Sequence, residues 1–313
     1  MAIRLVTVTL TLLAVVVSHS FPWLKTPVIF SLCNGIAVLG VIVLIRAGQV
    51  SFGHAMYSCA AGYAVVFIAR AYNLDGVLLI LLATSVAALF SALLGLFIVR
   101  YRGIFFGMLN LSFSMVLYAI LSKFTTVTGG TDGLSFTRPQ FAGFLLERDA
   151  FESVLLYVAL AAALFCGFLA QRYFDSAPGQ ALAAIKTNET RLEYLGISAK
   201  YVFWVGYLFS GFLTGLGGSL FALTQGLVTP EMGYWVRSGE FVFIAILGGS
   251  SHAIGAYLGA FIFEFVRFYA AALLTGVWQL TLGLVLILII FMAPEGLVGL
   301  LTRVRKPVPK KIQ

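Results

Sequence analysis

Few residues of this chain could do chemistry. The most suggestive spacing is GQVSFGHA at 48–55, where Gly48 and Gly53 stand as in a phosphate-binding loop. That loop also needs Lys and then Ser or Thr, to reach a phosphate and its magnesium ion. Here His54 and Ala55 follow, so the chain is not expected to bind ATP itself. The better reading is a break between two apolar segments, packed in protein or lining a cavity. Gln49, Ser51, Gly53 and His54 are then candidates for a path through the membrane. For His54, a satisfied packing histidine is favoured over a pathway wall. In FIFEFVRF, Glu264 and Arg267 lie one helical turn apart and can pair. The pair is either an interior structural contact, the favoured reading, or a gate or substrate contact. Asn110, with Ser112 and Ser114 in GMLNLSFSM, is a further polar candidate that could equally join helices. His19, His54 and His252 lack metal-ligand spacing, and Cys33, Cys59 and Cys166 make no framework. There is no HExxH and no nucleophile elbow. No enzyme, metal or cofactor is expected.

These residues sit in a chain that is 61% hydrophobic and 10% charged, with a mean hydropathy of +1.02. That is membrane composition. Continuous apolar runs such as VLLILLATSVAALFSALLGLFIV favour helices over barrel strands. The fold class expected is an all-α membrane protein of about ten transmembrane helices. Its apolar passages are 3–20, 27–45, 53–70, 77–99, 104–122, 153–171, 201–228, 238–249, 253–274 and 276–293. The N-terminal run resembles a signal peptide but is read as a retained first span. The eighth passage is too short to cross and should be shielded by its neighbours. Gly211-x-x-x-Gly215 and Gly255-x-x-x-Gly259 allow close helix contacts, more plausibly internal than between subunits. The net charge of +8 does not imply nucleic acid, because Lys and Arg cluster in the loops. Arg4, Arg46, Arg100, Arg102, Arg172, Lys186, Arg191, Lys200 and the tail fall on one side. Lys25, Arg70, Lys123, Arg138, Arg148 and Arg237 fall on the other. This asymmetry puts both termini in the cytoplasm. A membrane domain over 1–302 and a basic tail over 303–313 follow. The largest outside loop, about 123–152, carries the turn-rich TVTGGTDGLS, with Thr128, Gly129, Gly130, Asp132 and Gly133.

One stretch, SAPGQALAAIKTNETRLEYLGISAKY at 176–201, is polar and amphipathic. Ser176 is a candidate N-cap with Pro178 in the first turn. Leu182, Ile185, Leu192 and Leu195 cluster on one face, and Lys186, Glu189, Thr190 and Glu193 opposite. Asn188 interrupts the apolar arc, so two short helices are expected there. Thr190-x-x-Glu193 would cap the second and Gly196 would end it. Arg191 adds to the charge. The segment either lies on the lipid surface or docks a cytoplasmic partner, and docking is the sharper reading.

At this point the chain resembles the LivM-type permeases of branched-chain amino acid ABC importers. GQALAAIKTNETRLEYLGIS is similar to their coupling segment. GQVSFGHAMYSCAAGY, GIFFGMLNLSFSMVLYAI with TGGTDGLS, ILGGSSHAIGAYLGA and APEGLVGL resemble further family motifs, in order, over about 28–300. Gln180, Thr187, Asn110, Ser251 and Ala256 depart from the usual residues. The resemblance implies a multi-pass inner-membrane subunit beside a LivH-type sister permease. Two ATPase subunits would dock on the coupling segment, and a periplasmic solute-binding protein would deliver the solute. The solute would be a branched-chain or related amino acid, or alternatively urea, an amide or an aromatic acid. A stand-alone secondary transporter is the runner-up of another class, and would need a relay of intramembrane acids.

Overall fold

The computed structural model describes residues 20–273, 278–292 and 296–303. The first apolar passage and nearly all of the basic tail lie outside them. Six described helices are long and apolar enough to cross a membrane. We label five of them α1 (Lys25–Arg46), α3 (Gly76–Ile98), α4 (Gly103–Lys123), α5 (Arg148–Asp175) and α8 (Ala199–Gln225). The sixth is α10 (Ile254–Leu273). Shorter helices are α2 (Ala55–Ala71), α9 (Trp235–Gly248), α11 (Trp278–Met292) and α12 (Gly296–Arg303). The polar stretch forms α6 (Ala177–Ile185) and α7 (Glu189–Tyr194).

Six of the ten expected passages are met by these helices, and the first lies outside the described residues. An apolar run can also include residues that are not helical. The third passage loses its start to the break at 47–54, and α2 retains 17 residues. The eighth becomes the 14-residue α9, reached through the turn at Pro230–Gly233. Both breaks are packed inside protein. Ser51 and His54 are fully buried, and so are Pro230, Met232 and Gly233. Irregular backbone at membrane depth survives only under such cover. α9 is buried on one face only, and Val236, Phe243 and Ile246 lie on the other.

The core is built on α1 and α8. Both are covered nearly all round, whereas α3, α4 and α5 bury about a third of their apolar windows. A helix apolar on every face belongs inside. α8 packs on α1, α2 and α3 because its small residues admit their backbones. Gly211 and Gly215 face Ser91 and Ala87 of α3, Gly217 meets Cys33 of α1, and Gly218 meets Ser58 of α2. Gly255 and Gly259 press on Gly248 and Ile244 of α9. Both spaced glycine pairs thus make internal contacts. The long seventh passage ends where Gly226 turns left-handed (φ 71°). Beyond it, Leu227–Val228 pairs antiparallel with Leu134–Ser135 of the loop between α4 and α5.

Candidate functional site

The break at 47–53 spends its polar groups internally. Ser210 donates its only proton to the Gly40 carbonyl at 2.5 Å, so at 2.7 Å it accepts from His54 Nε2–H. Nδ1 of His54 is then the acceptor of the Ser51 hydroxyl at 2.6 Å. Both ring nitrogens of His54 are thus satisfied inside the protein. Gln49 Oε1 accepts from the Gly103 amide at 2.6 Å. Gly53 lies so close to the Asn110 carbonyl that no Cβ would fit. Asn110 is itself bonded: its Nδ2 donates to Phe106, and its Oδ1 accepts from the Tyr207 hydroxyl at 2.6 Å. Tyr57 completes that chain by donating to Tyr207 at 2.6 Å. Ser112 instead sits on the exposed face of α4 and donates to Met108. Ser210→Ala is expected to lower stability by about 1–3 kcal/mol, because it leaves the buried His54 Nε2–H without its acceptor. Thermal unfolding in detergent micelles would show this as a drop in Tm.

The loop after α4 is shaped by left-handed glycines. Gly129, Gly130 and Gly133 have φ of 72°, 58° and 73°. The Thr128 hydroxyl bonds the Leu121 and Phe124 carbonyls, closing the end of α4. Gly133 lies against the Val228 carbonyl, which ties the loop to the turn before α9. Asp132 is exposed.

The polar stretch folds as two short helices. Ser176 caps α6 by accepting from the Gly179 amide. The cap of α7 is Asn188, whose Oδ1 accepts from the Arg191 amide at 3.0 Å, and not Thr190 with Glu193. Asn188 has an extended backbone (φ −163°, ψ 99°), which frees its short side chain to reach the next turn. Gly196 ends the element with φ 78°. The new cap also resets the helical phase, so the expected apolar arc splits. Leu182, Ile185 and Leu192 are buried in the chain's own core, whereas Leu195 is 71% and Tyr194 87% exposed. Lys186, Arg191 and Glu193 are exposed as well. Arg102 holds α7 in place with a two-pronged ion pair to Glu189, at 2.8 and 3.1 Å. Its guanidinium also stacks 4.4 Å over Phe203. The stem of Lys186 rests on Gly48, joining this element to the break before α2. Nearby, Arg46 donates to the Ser251 carbonyl. Burial lowers the pKa of His252 in that loop; Asp175 opposes the shift and Arg46 adds to it.

Glu264 does not pair with Arg267 alone. It accepts from Asn34 Nδ2 at 2.5 Å. Asn34 Oδ1 accepts from Arg237 at 2.9 Å, and Arg237 donates to Glu240 at 2.5 Å. Arg267 closes the ring, 3.9 Å from Glu240 and 3.7 Å from Glu264. The ring joins α1, α9 and α10. Arg237, which the charge count assigns to an outside loop, instead lies on α9. Sequence reasoning placed none of Asn34, Arg237 and Glu240 with Glu264 and Arg267. The one-turn spacing of Arg237 and Glu240 was the available signal.

The comparisons with known proteins bear on this architecture. Residues 26–293 match the family model described as the branched-chain amino acid transport system permease component. The chain belongs to this family. Its six long apolar helices fit a multi-pass membrane protein of this permease family. One relative is the high-affinity branched-chain amino acid transport system permease protein LivM of Escherichia coli strain K12, 25% identical over 83% of this chain. The LivM of Salmonella typhimurium strain LT2 is 26% identical over the same share. The chain spans 66% of the length of each. A probable LivH permease of Methanocaldococcus jannaschii is 24% identical over 61% of this chain and 62% of its own length. No solved structure matches significantly. Within this permease family, the double helix 177–194 corresponds to the stretch whose resemblance to a coupling segment is noted above.

Proposed function

We propose that this chain is a permease subunit of an ATP-binding cassette importer that moves branched-chain or related amino acids across the inner membrane. It pairs with a sister permease of LivH type. Two ATPase subunits dock beneath it, and a periplasmic solute-binding protein delivers the solute from above. Both termini face the cytoplasm. The observation that carries this reading is the family match together with the anchored double helix at 177–194. Leu182, Ile185 and Leu192 bind that element to the permease core, and Arg102 locks Glu189. Its outward face offers Lys186, Arg191, Glu193, Tyr194, Leu195 and the Gly196 turn to a partner. A push on this face reaches α8 through Leu182, which packs on Gly206. It reaches the break before α2 through Lys186 and Gly48. Closure of the ATPases is thereby felt inside the membrane. A ligand-driven switch needs contacts that differ between its states, and these two do so if the double helix shifts.

The outer loop at 128–133 is the landing face for the binding protein. The outward face of α4, with Ser112, is the side turned to the sister permease and the pathway. Co-expression with the neighbouring open reading frames tests the assembly. An ATPase and a second permease are expected to copurify with the tagged chain in stoichiometric amounts. Recovery of the chain alone, folded and monodisperse, overturns the reading.

A further inference from the structure

We propose that the cavity where α5 gives way to α6 binds the headgroup of phosphatidylethanolamine, a phosphate diester joined through two carbons to a primary ammonium. The cavity has a volume of about 700 Å³ and is lined by Leu169, Arg172, Tyr173, Asp175, Ser176 and Phe209. Two of these residues carry opposite charges one helical turn apart, and they do not pair with each other. Among the described residues, no acid lies within ion-pair distance of Arg172 and no base within that distance of Asp175. The Asp175 carboxylate accepts only from Gln171, whose Nε2 donates to both of its oxygens at 3.1 Å. Gln171 is itself held by the Ala253 amide, which donates to its Oε1 at 3.2 Å. The acid is thus fixed in place with no cation in contact. Tyr173, a third wall residue, keeps a hydroxyl that has no hydrogen-bond partner among the described residues.

Depth, continuity and spacing select a lipid headgroup. Arg172 and Asp175 stand in the last turn of α5. The uncharged run before them, from Ser153 to Gln171, is about 28 Å long at 1.5 Å per residue, against a hydrocarbon core of about 30 Å. Both charges therefore emerge at the level of the headgroups. Leu164, Phe165 and Phe168 share their helical stripe and are exposed, so acyl chains have an apolar seat directly below. Residues three apart on a helix stand about 5–6 Å apart at Cβ, a span that suits the two-carbon link between phosphate and ammonium. The phosphate then lies on Arg172, at the positive end of α6, and the ammonium donates to Asp175. Phosphatidylglycerol would satisfy Arg172 but be repelled by Asp175. Phosphatidylcholine has no N–H to donate to the acid. The site involves neither the solute nor an ATPase, so it goes beyond the permease reading.

The full-length chain, with whatever subunits copurify, would be delipidated in detergent and titrated with the dioleoyl forms of the three lipids. Native mass spectrometry counts the lipid retained. Phosphatidylethanolamine is expected to bind at least ~5-fold more tightly than either of the others, the scale of one charged contact at a membrane surface. Arg172→Gln should weaken it at least ~5-fold. Asp175→Asn should erase its advantage over phosphatidylglycerol. Both side chains are exposed, so the Tm of each variant should stay that of the unaltered chain. Arg148→Gln, at the opposite end of α5, should leave retention unchanged. Equal retention of the three lipids by the unaltered chain overturns the proposal, as does an Arg172→Gln chain that keeps the full preference. An equal loss in Arg148→Gln would report surface charge in general and overturn it too. Soluble glycerophosphoethanolamine that competes as well as the lipid would make this a site for a free phosphodiester and not for a lipid. A preference that vanishes whenever a second subunit copurifies would assign the cavity to that subunit, and the lipid site would fall.

Discussion

Gly248→Ala is expected to remove most of the folded protein. Gly248 ends α9 where it crosses α10, and a Cβ there would fall on the Gly255 carbonyl, which is backbone. No side-chain rotation relieves that contact, so the two helices must part. Overpacking of this kind costs about 1–3 kcal/mol and sometimes more. The cost is raised here because Gly259 and Gly296 crowd the same junction. The α9–α10 hairpin also carries four of the five ring residues, so a small splay would open the ring. Fluorescence-detected size exclusion in detergent should show a collapsed monodisperse peak and a Tm several degrees lower. Gly239→Ala is the matched control on the same helix. A Cβ at Gly239 meets nothing within 4 Å, so that change should be neutral or slightly stabilising, by about 0.5–1 kcal/mol. If the two variants behave alike, close packing at the hairpin is not what holds this region together.

The double change Tyr194→Ala with Leu195→Asp is expected to cut ATP-driven uptake by about 10- to 100-fold, the scale of a lost interface hot spot. Both side chains stand clear of the chain that carries them, so nothing internal is lost. The Tm of the permease should change by less than the equivalent of about 0.5 kcal/mol, as at other surface positions. The copurified ATPase should fall in parallel with uptake. Leu182→Asp makes the contrast. Leu182 is 1% exposed, and an unpaired carboxylate at that position would detach α6 from α8 and destabilise the fold. Loss of uptake through Leu182 therefore reports anchoring, whereas loss through Leu195 reports docking. Unchanged uptake and unchanged ATPase recovery in the Tyr194/Leu195 variant would place the docking face elsewhere. A role on the lipid surface would produce the same result, and would show as weaker binding of the segment to anionic vesicles.

Several features were legible before any coordinates. Apolar composition and run length gave the membrane helices, and the spaced glycines gave the close internal contacts. The Ser176 cap and the Gly196 stop are local chemistry, and both stand where the sequence puts them. The missing Lys-Ser in GQVSFGHA pointed to a packed break, which His54 and its two serines complete. Other features needed neighbours far along the chain. Asn188 and Thr190 are both acceptable caps by residue type. The choice fell to Asn188 once Leu182 and Leu192 were both drawn into the core, and that moved Leu195 to the outside.

By itself the sequence determined the solvent in which this protein lives, the helices that such a solvent demands, and the family motifs along the chain. Those follow from short-range rules of burial and backbone hydrogen bonding, which each segment obeys alone. Only the tertiary structure decided how the charges meet. Asn34 and Glu264 are separated by 230 residues, with Arg237 between them, and no local periodicity relates the three. Their ring exists because α1 is buried between α8 and α10, and because α9 starts just after a turn whose Pro230, Met232 and Gly233 are buried. Desolvated charges must then find one another across helices, and the partner each one finds is set by packing, not by spacing.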